Sequence, residues 1–206
     1  SSKRNVSVDK TLLTKDIHEI LDDPQIDILV ELMGGVNPAK DFITQALLKG
    51  KHIVTANKAL LAEQGRELFA LAQDRDKSIY FEASVGAGIP ILKSLREGLV
   101  ANKFVDIFGI VNGTSNYVLS QMSKKGCDFS EALKDAQNKG FAEKDPTLDI
   151  EGIDSAHKLV ILTYLGFGKL VGMKDLFVEG ISRVTLQDVE YARDLGFEIK
   201  LLAIAK

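Results

Sequence analysis

Between Glu143 and Asp154 the chain carries five carboxylates, Glu143, Asp145, Asp149, Glu151 and Asp154, and Lys158 follows four residues after the last of them. The next four residues, Leu159–Leu162, are purely apolar. A solvated charge run does not ordinarily lead straight into a buried helix. Asp154 and Lys158 are spaced i,i+4 and share one helical face, which Ile161 and Leu165 roughly continue. Carboxylates and an ammonium at the mouth of an apolar core suit a small charged molecule resembling an amino acid. An ordinary surface ion pair, worth about 0–1 kcal/mol, is the competing reading.

Other groups of the same kind lie at the ends of apolar runs. Glu31-Leu-Met-Gly34-Gly35 closes one run, where two glycines either make a sharp turn or let a dinucleotide approach the backbone. Thr55-Ala-Asn57-Lys58 closes the next. Asn57 suits a helix cap, and Lys58 suits either solvent or a site. Gly86-Ala-Gly88 follows a third run, but Ile91 stands where a third glycine would be needed, which favours a tight turn over a phosphate cradle. Asn112-Gly113-Thr114 ends a fourth run, with Thr114 or Ser115 as a candidate helix cap. His18, His52 and His157 have no metal-ligand spacing, so no catalytic metal is expected. Cys127 stands alone in a Gly-Cys-Asp context and reads as an incidental loop thiol.

Alternating strands and helices must position these groups. Ile26–Glu31 reads as a buried strand. Asn37-Pro38 predicts an N-cap with proline in the first turn, and Gly50 ends that helix. His52–Ala56 predicts a strand, Ala59 to Gln73 a helix, and Ser78–Val85 a third strand. Pro90 opens a helix to Ala101. This βαβαβ order implies a parallel sheet with crossover helices. Phe104–Val111 predicts a strand, followed by helices from Ser115, over Ser130–Lys139 and over Ile153–Leu165. Thr185-Leu-Gln-Asp188 has the form of a capping box before Val189–Leu195, and Ile199–Ala205 predicts a last strand. The subdomain boundary falls between Val85 and Pro90. The fold class is α/β: an incomplete Rossmann-like sheet in residues 1–87, then an α+β catalytic and dimerisation domain in residues 88–206.

The 206 residues are 45% hydrophobic and 27% charged, as in ordinary soluble domains, with a formal net charge of −3. That balance argues against nonspecific nucleic-acid binding. No apolar run approaches the ~18 residues of a membrane span. One cysteine cannot form an internal disulfide, which fits a reducing compartment such as the cytoplasm. The glycine fingerprint that opens a dinucleotide-binding fold is absent near the start. The expectation is an internal stretch of a longer chain, inactive when isolated.

Glu143-Lys-Asp-Pro-Thr-Leu-Asp149 followed by Gly152-Ile-Asp154-Ser-Ala-His-Lys158 closely resembles the substrate segment of the homoserine dehydrogenases. Glu31–Gly35, Val54–Lys58, Phe81–Ile91 and Gly109–Asn116 agree with that family in order and spacing. The resemblance implies hydride transfer between NAD or NADP and the homoserine/aspartate-4-semialdehyde pair, in threonine, methionine and isoleucine biosynthesis. It implies Lys158 and Lys58 as catalytic residues, with Glu143, Asp149, Asp154, Gly113 and Thr114 binding substrate. It implies Gly34, Gly35 and Lys58 at the cofactor. It further implies a sodium ion on the main-chain carbonyls of Glu82, Val85, Ala87 and Ile89, and a homodimer or homotetramer. A related dehydrogenase of another small amino acid, and a non-catalytic oligomerising domain, stay open beside it.

Overall fold

A computed structural model describes residues 7–206. Helix α1 (Ile17–Leu21) precedes β1 (Ile28–Glu31), α2 (Ala39–Leu48), β2 (His52–Thr55), α3 (Lys58–Asp74) and β3 (Ile79–Tyr80). The three strands form a parallel sheet in the order β1-β2-β3, with Ile28 opposite His52 and Ile53 opposite Ile79. Leu29, Ile53 and Ile79 point into a core with Ile43 and Leu47 of α2 and Leu60, Leu61 and Leu68 of α3. β1 is not buried on both sides, as its apolar composition predicts. Ile28, Val30 and Tyr80 are exposed, because among the described residues both helices pack into the core on the other side.

The first turn of α2 also departs from expectation. Pro38, not Asn37, occupies the cap position and no side chain caps it. Backbone bonds serve instead, Lys40 N–H donating to the Val36 carbonyl. The predicted third strand stops at Tyr80, since Glu82–Ser84 turns into a 3-10 helix with the Ser84 hydroxyl on the Phe81 carbonyl. The Glu82 carboxylate then accepts from the N–H groups of Leu92 and Lys93. It thereby caps α4 (Ile91–Lys93), which continues as a π-turn over Ser94–Gly98.

β4 (Ile107–Gly109) leads into α5 (Gly113–Lys125), α6 (Phe129–Asn138), α7 (Thr147–Ile150), α8 (Ile153–Phe167), α9 (Leu186–Asp194) and β5 (Ala203–Ala205). β4 and β5 pair antiparallel over three residues each, so both are shorter than their apolar runs suggest. A second core joins Val118, Leu119 and Met122 of α5, Ala132 and Ala136 of α6, and Val189 of α9. Cys127 lies in the loop between α5 and α6, as expected, with its side chain buried against this core. Burial and then the Glu131 charge push its thiol pKa up, so it is inert. The Thr185–Asp188 capping box forms as predicted.

Helix α8 belongs to both halves. Ile161 and Leu162 lie in the first core, and Tyr164 stacks on Phe69 of α3 at 5.0 Å. Its start is set by a close backbone crossing. Gly180 packs against the turn before α8, and a Cβ there would overlap the Ile150 carbonyl and come within 2.5 Å of Glu151 Cα. The next residue, Ile181, donates its N–H to that carbonyl. Both obstacles are backbone and cannot rotate away. Gly180→Ala is therefore expected to cost about 1–3 kcal/mol, read as a lower urea midpoint at unchanged m-value. An unchanged midpoint would mean that this crossing is loose.

Candidate active site

The end of β4 and the starts of α5 and α8 meet at a cleft of about 610 Å³. Asn112 caps α5, its side-chain oxygen accepting from Ser115 N–H at 2.8 Å. The cap is Asn112, not Thr114 or Ser115 as the sequence suggested. Ser115 is wholly buried with its hydroxyl on the Asp149 carbonyl, and Thr114 donates its hydroxyl to the Phe141 carbonyl at 2.7 Å. Extended backbone at Asn112 frees its side chain to reach the N–H groups behind it. That leaves Gly113 in the first turn, at the positive end of the helix dipole.

Asp154 is the centre of the site. Its Oδ2 accepts from Lys158 Nζ at 2.6 Å and from Asn112 Nδ2 at 2.9 Å. Its Oδ1 lies 3.2 Å from Lys58 Nζ, which reaches over from the first turn of α3. Asp154 and Lys158 side chains are only 7% and 16% exposed, so this is not the surface ion pair that i,i+4 spacing alone would allow. Burial pushes the Asp154 carboxyl up, yet hydrogen bonds from Lys158 and Asn112 and the charges of Lys158 and Lys58 outweigh it. The net pKa lies below the ordinary aspartate value. Lys158 spends a second N–H on the Val111 carbonyl at 2.7 Å. One of its three donors is then left for the cleft, which it lines.

Asp149 Oδ1 accepts from the other side of the same Asn112 amide at 2.7 Å. Tyr117 and Phe141 form the far wall, their rings 4.7 Å apart. Tyr117 is fixed by donating to Asp135 and accepting from Lys139. The hydrogen bond from Tyr117, and then one from Lys139 Nζ at 3.0 Å, hold the Asp135 carboxyl down at about 2. A second, apolar cleft of about 490 Å³, walled by Val85, Ile89, Ile91, Ile110 and Leu162, shares Asn112, Gly113 and Asn116 with the first.

The structure thus gathers Lys158, Asp149, Asp154, Gly113 and Thr114 around one cleft, with Lys58 outside its lining but 3.2 Å from Asp154 Oδ1. Glu143 is exposed and lies outside the lining of that cleft, and its backbone carbonyl accepts from Gln137. Gly34 and Gly35 stand at the carboxyl end of β1, with Asn57 Nδ2 donating to the Gly35 carbonyl at 2.6 Å. The Glu31 carboxylate pins this loop by accepting from Met33 N–H and the Thr55 hydroxyl. Asn57 also caps α3 through Leu60 N–H. Sequence reasoning passed over Asn112 and Glu31. The legible signal was an amide or carboxylate directly before a glycine-containing turn at a strand end.

Residues 90–206 match the family model described as homoserine dehydrogenase, and residues 1–82 match its NAD-binding domain. The chain belongs to the homoserine dehydrogenase family. The homoserine dehydrogenase of Bacillus subtilis (strain 168) is 46% identical over 204 residues, covering 99% of this chain and 47% of that protein. That of Neisseria gonorrhoeae is 49% identical over 192 residues, 93% of this chain and 44% of the relative. The crystal structure of a homoserine dehydrogenase from Thiobacillus denitrificans superimposes with a TM-score of 0.91 at 53% identity, covering 94% of this chain and 45% of that one. A hyperthermophilic archaeal homoserine dehydrogenase in complex with NADPH gives a TM-score of 0.77 at 29% identity, covering 93% of this chain and 56% of that one. The chain spans about half the length of the curated relatives it matches. These likenesses agree with the α/β fold, a parallel sheet of an NAD-binding domain beside a catalytic domain. Among the described residues no helix is long and apolar enough to cross a membrane, and no group of three or more His, Cys, Asp or Glu side chains is placed to hold a metal.

His157 is expected to add a pH dependence next to this cleft. It is buried beside Lys158, and burial, reinforced by the Lys58 charge, lowers its pKa from 6.5 against the opposing charges of Glu63 and Asp154. The folded protein therefore holds His157 neutral where the unfolded chain takes up a proton. Stability is expected to fall as pH drops below about 6.5 and on through the lower folded value. His157→Asn should flatten that limb in urea melts. An equally steep limb in the variant would assign it to other groups.

Proposed function

We propose that this chain contributes the substrate site and part of the cofactor site of an NAD(P)-dependent homoserine dehydrogenase, interconverting L-homoserine and L-aspartate 4-semialdehyde. The observation that carries this reading is Asp154 held between Lys58 and Lys158 at the base of a cleft that Asp149 also lines. Asp149 has one oxygen bonded to Asn112 and a second to offer an amino-acid ammonium. Glu143, exposed on the loop after α6, adds negative charge as the substrate approaches. Gly113 and Thr114 present the start of α5 to the substrate carboxylate. Lys158, after releasing its third proton to solvent through the cleft, takes the hydroxyl proton as homoserine is oxidised and returns it on reduction, with Lys58 holding the far side of Asp154.

The dinucleotide, when bound, supplies the hydride acceptor. Gly34, Gly35 and Lys58 would hold it at the carboxyl ends of the parallel strands. The fit is supported by the open space around both glycines, where an added Cβ would meet nothing within 4 Å. A sodium ion on the carbonyls of Glu82, Val85, Ala87 and Ile89 is supported by the turn they share, with Gly86 and Gly88 at φ of +62° and +86°. The Glu82 and Ile89 carbonyls each accept one N–H and keep a second lone pair for a cation. The domain boundary is placed between residues 87 and 88, and the location is cytoplasmic.

Turnover of homoserine against a panel of small amino-alcohol acids, followed as cofactor reduction by the full-length protein, tests the reading. Preference for another substrate would replace it with a related dehydrogenase. Self-association as a homodimer or homotetramer is proposed with it. Phe108 and Ile204, cross-strand neighbours on β4 and β5, are 72% and 49% exposed, which favours a covering partner. A single monomer boundary in sedimentation at micromolar concentration would count against this.

A further inference from the structure

We infer that Asn112 is a positioning residue that clamps Asp149 and Asp154 at fixed separation in front of the substrate ammonium. The inference rests on reading the cleft as an amino-acid site. Asn112 is 4% exposed, and every group of its amide is assigned. Its oxygen faces Ser115 N–H, which can only donate, so the nitrogen faces the two carboxylates, which can only accept. One N–H goes to Asp149 Oδ1 at 2.7 Å and the other to Asp154 Oδ2 at 2.9 Å.

No other side chain touches both acids among the described hydrogen bonds. Asp149 stands on α7 and Asp154 on α8, with the Glu151-Gly152 turn between them. Lys58 and Lys158 already balance Asp154, so charge alone does not fix where Asp149, on a separate helix, stands relative to it. A neutral amide bonded to both removes that freedom and leaves the Asp149 charge to draw an ammonium. The same residue caps α5 and lines both clefts. The acids, the helix start and the polar-to-apolar junction are thereby registered to one side chain.

The clamp and the cap can be separated. Asn112→Ser keeps an oxygen that can accept from Ser115 N–H but loses both amide donors. Asn112→Asp keeps shape and cap while adding a third carboxylate. In the full-length protein Asn112→Ser should melt below wild type yet stay folded at the assay temperature, and Asn112→Asp should melt lower still, because its carboxylate would stand within about 3 Å of two others. The homoserine KM should rise about 10- to 100-fold, the factor expected for losing a hydrogen bond to a charged group. Cofactor KM should stay put and kcat should change less than KM. A folded Asn112→Ser with normal homoserine KM overturns the clamp. A thermal double-mutant cycle pairing Asn112→Ser with Asp149→Asn needs no substrate: non-additive losses support the clamp, and additive losses overturn it. If the wild type oxidises no homoserine, the functional reading falls, and that cycle alone decides the clamp.

Discussion

Lys158→Met is expected to lower kcat by roughly 10²–10⁴, the contribution of a positioned proton-transfer group, while leaving the cofactor KM little changed. Methionine keeps most of the side-chain volume and its apolar packing, so the fold should survive. What disappears is the donor set: 2.6 Å to Asp154, 2.7 Å to the Val111 carbonyl, and the third N–H aimed at the cleft. Asp154 keeps Lys58 and Asn112, so its charge is still compensated. A solvent-exposed ion pair at the same spacing would give near-normal kcat and lose under about 1 kcal/mol of stability. A folded Lys158→Met protein with wild-type kcat would remove Lys158 from the mechanism and move proton transfer to Lys58.

Asp154→Asn is expected to damage stability as well as turnover. The substitution preserves shape but removes the one anion between two ammonium groups at 2.6 and 3.2 Å. Lys158 is then buried without a counter-charge, at a cost of roughly 3 kcal/mol. This is the low end for such losses, because the Lys58 side chain is 37% exposed and partly screened. The acid limb should change too. With its folded pKa lowered from 3.8, Asp154 contributes stability above that value that disappears as pH falls through the folded one, and the variant should lack this component. Adding Lys58→Met should restore part of the loss by relieving like-charge repulsion. An unchanged melting temperature for Asp154→Asn would show the carboxylate to be solvated and the two lysines independent of it.

The sheet was readable wherever an apolar run ended at a turn residue, as at Ile28–Glu31 and His52–Thr55. It was misread where the run outlasted its partner. Phe104–Val111 is apolar but for Asp106 and Gly109, yet only Ile107–Gly109 finds a paired strand, and pairing is not a property of one segment. Lys158 and Asp154 were legible because their spacing on a helix fixes their neighbourhood. Asn112 was not, since its two acids lie 37 and 42 residues away and only the fold brings them to one amide. Glu31 escaped for the same reason: its partner Thr55 is 24 residues off, across the sheet.

Helix α8 bears on how such a protein can be recombined. Its first two turns carry Asp154 and Lys158, whereas Ile161 and Leu162 are built into the core of the cofactor-side sheet. A chimaera joined at residues 87 and 88 would import the whole helix with the second half and present those two side chains to a foreign α3. The junction in the chain is thus not the junction in the packing. Exchanging nucleotide preference between relatives by module swapping would require Ile161, Leu162 and Tyr164 to travel with Leu61, Leu68 and Phe69 as a matched set.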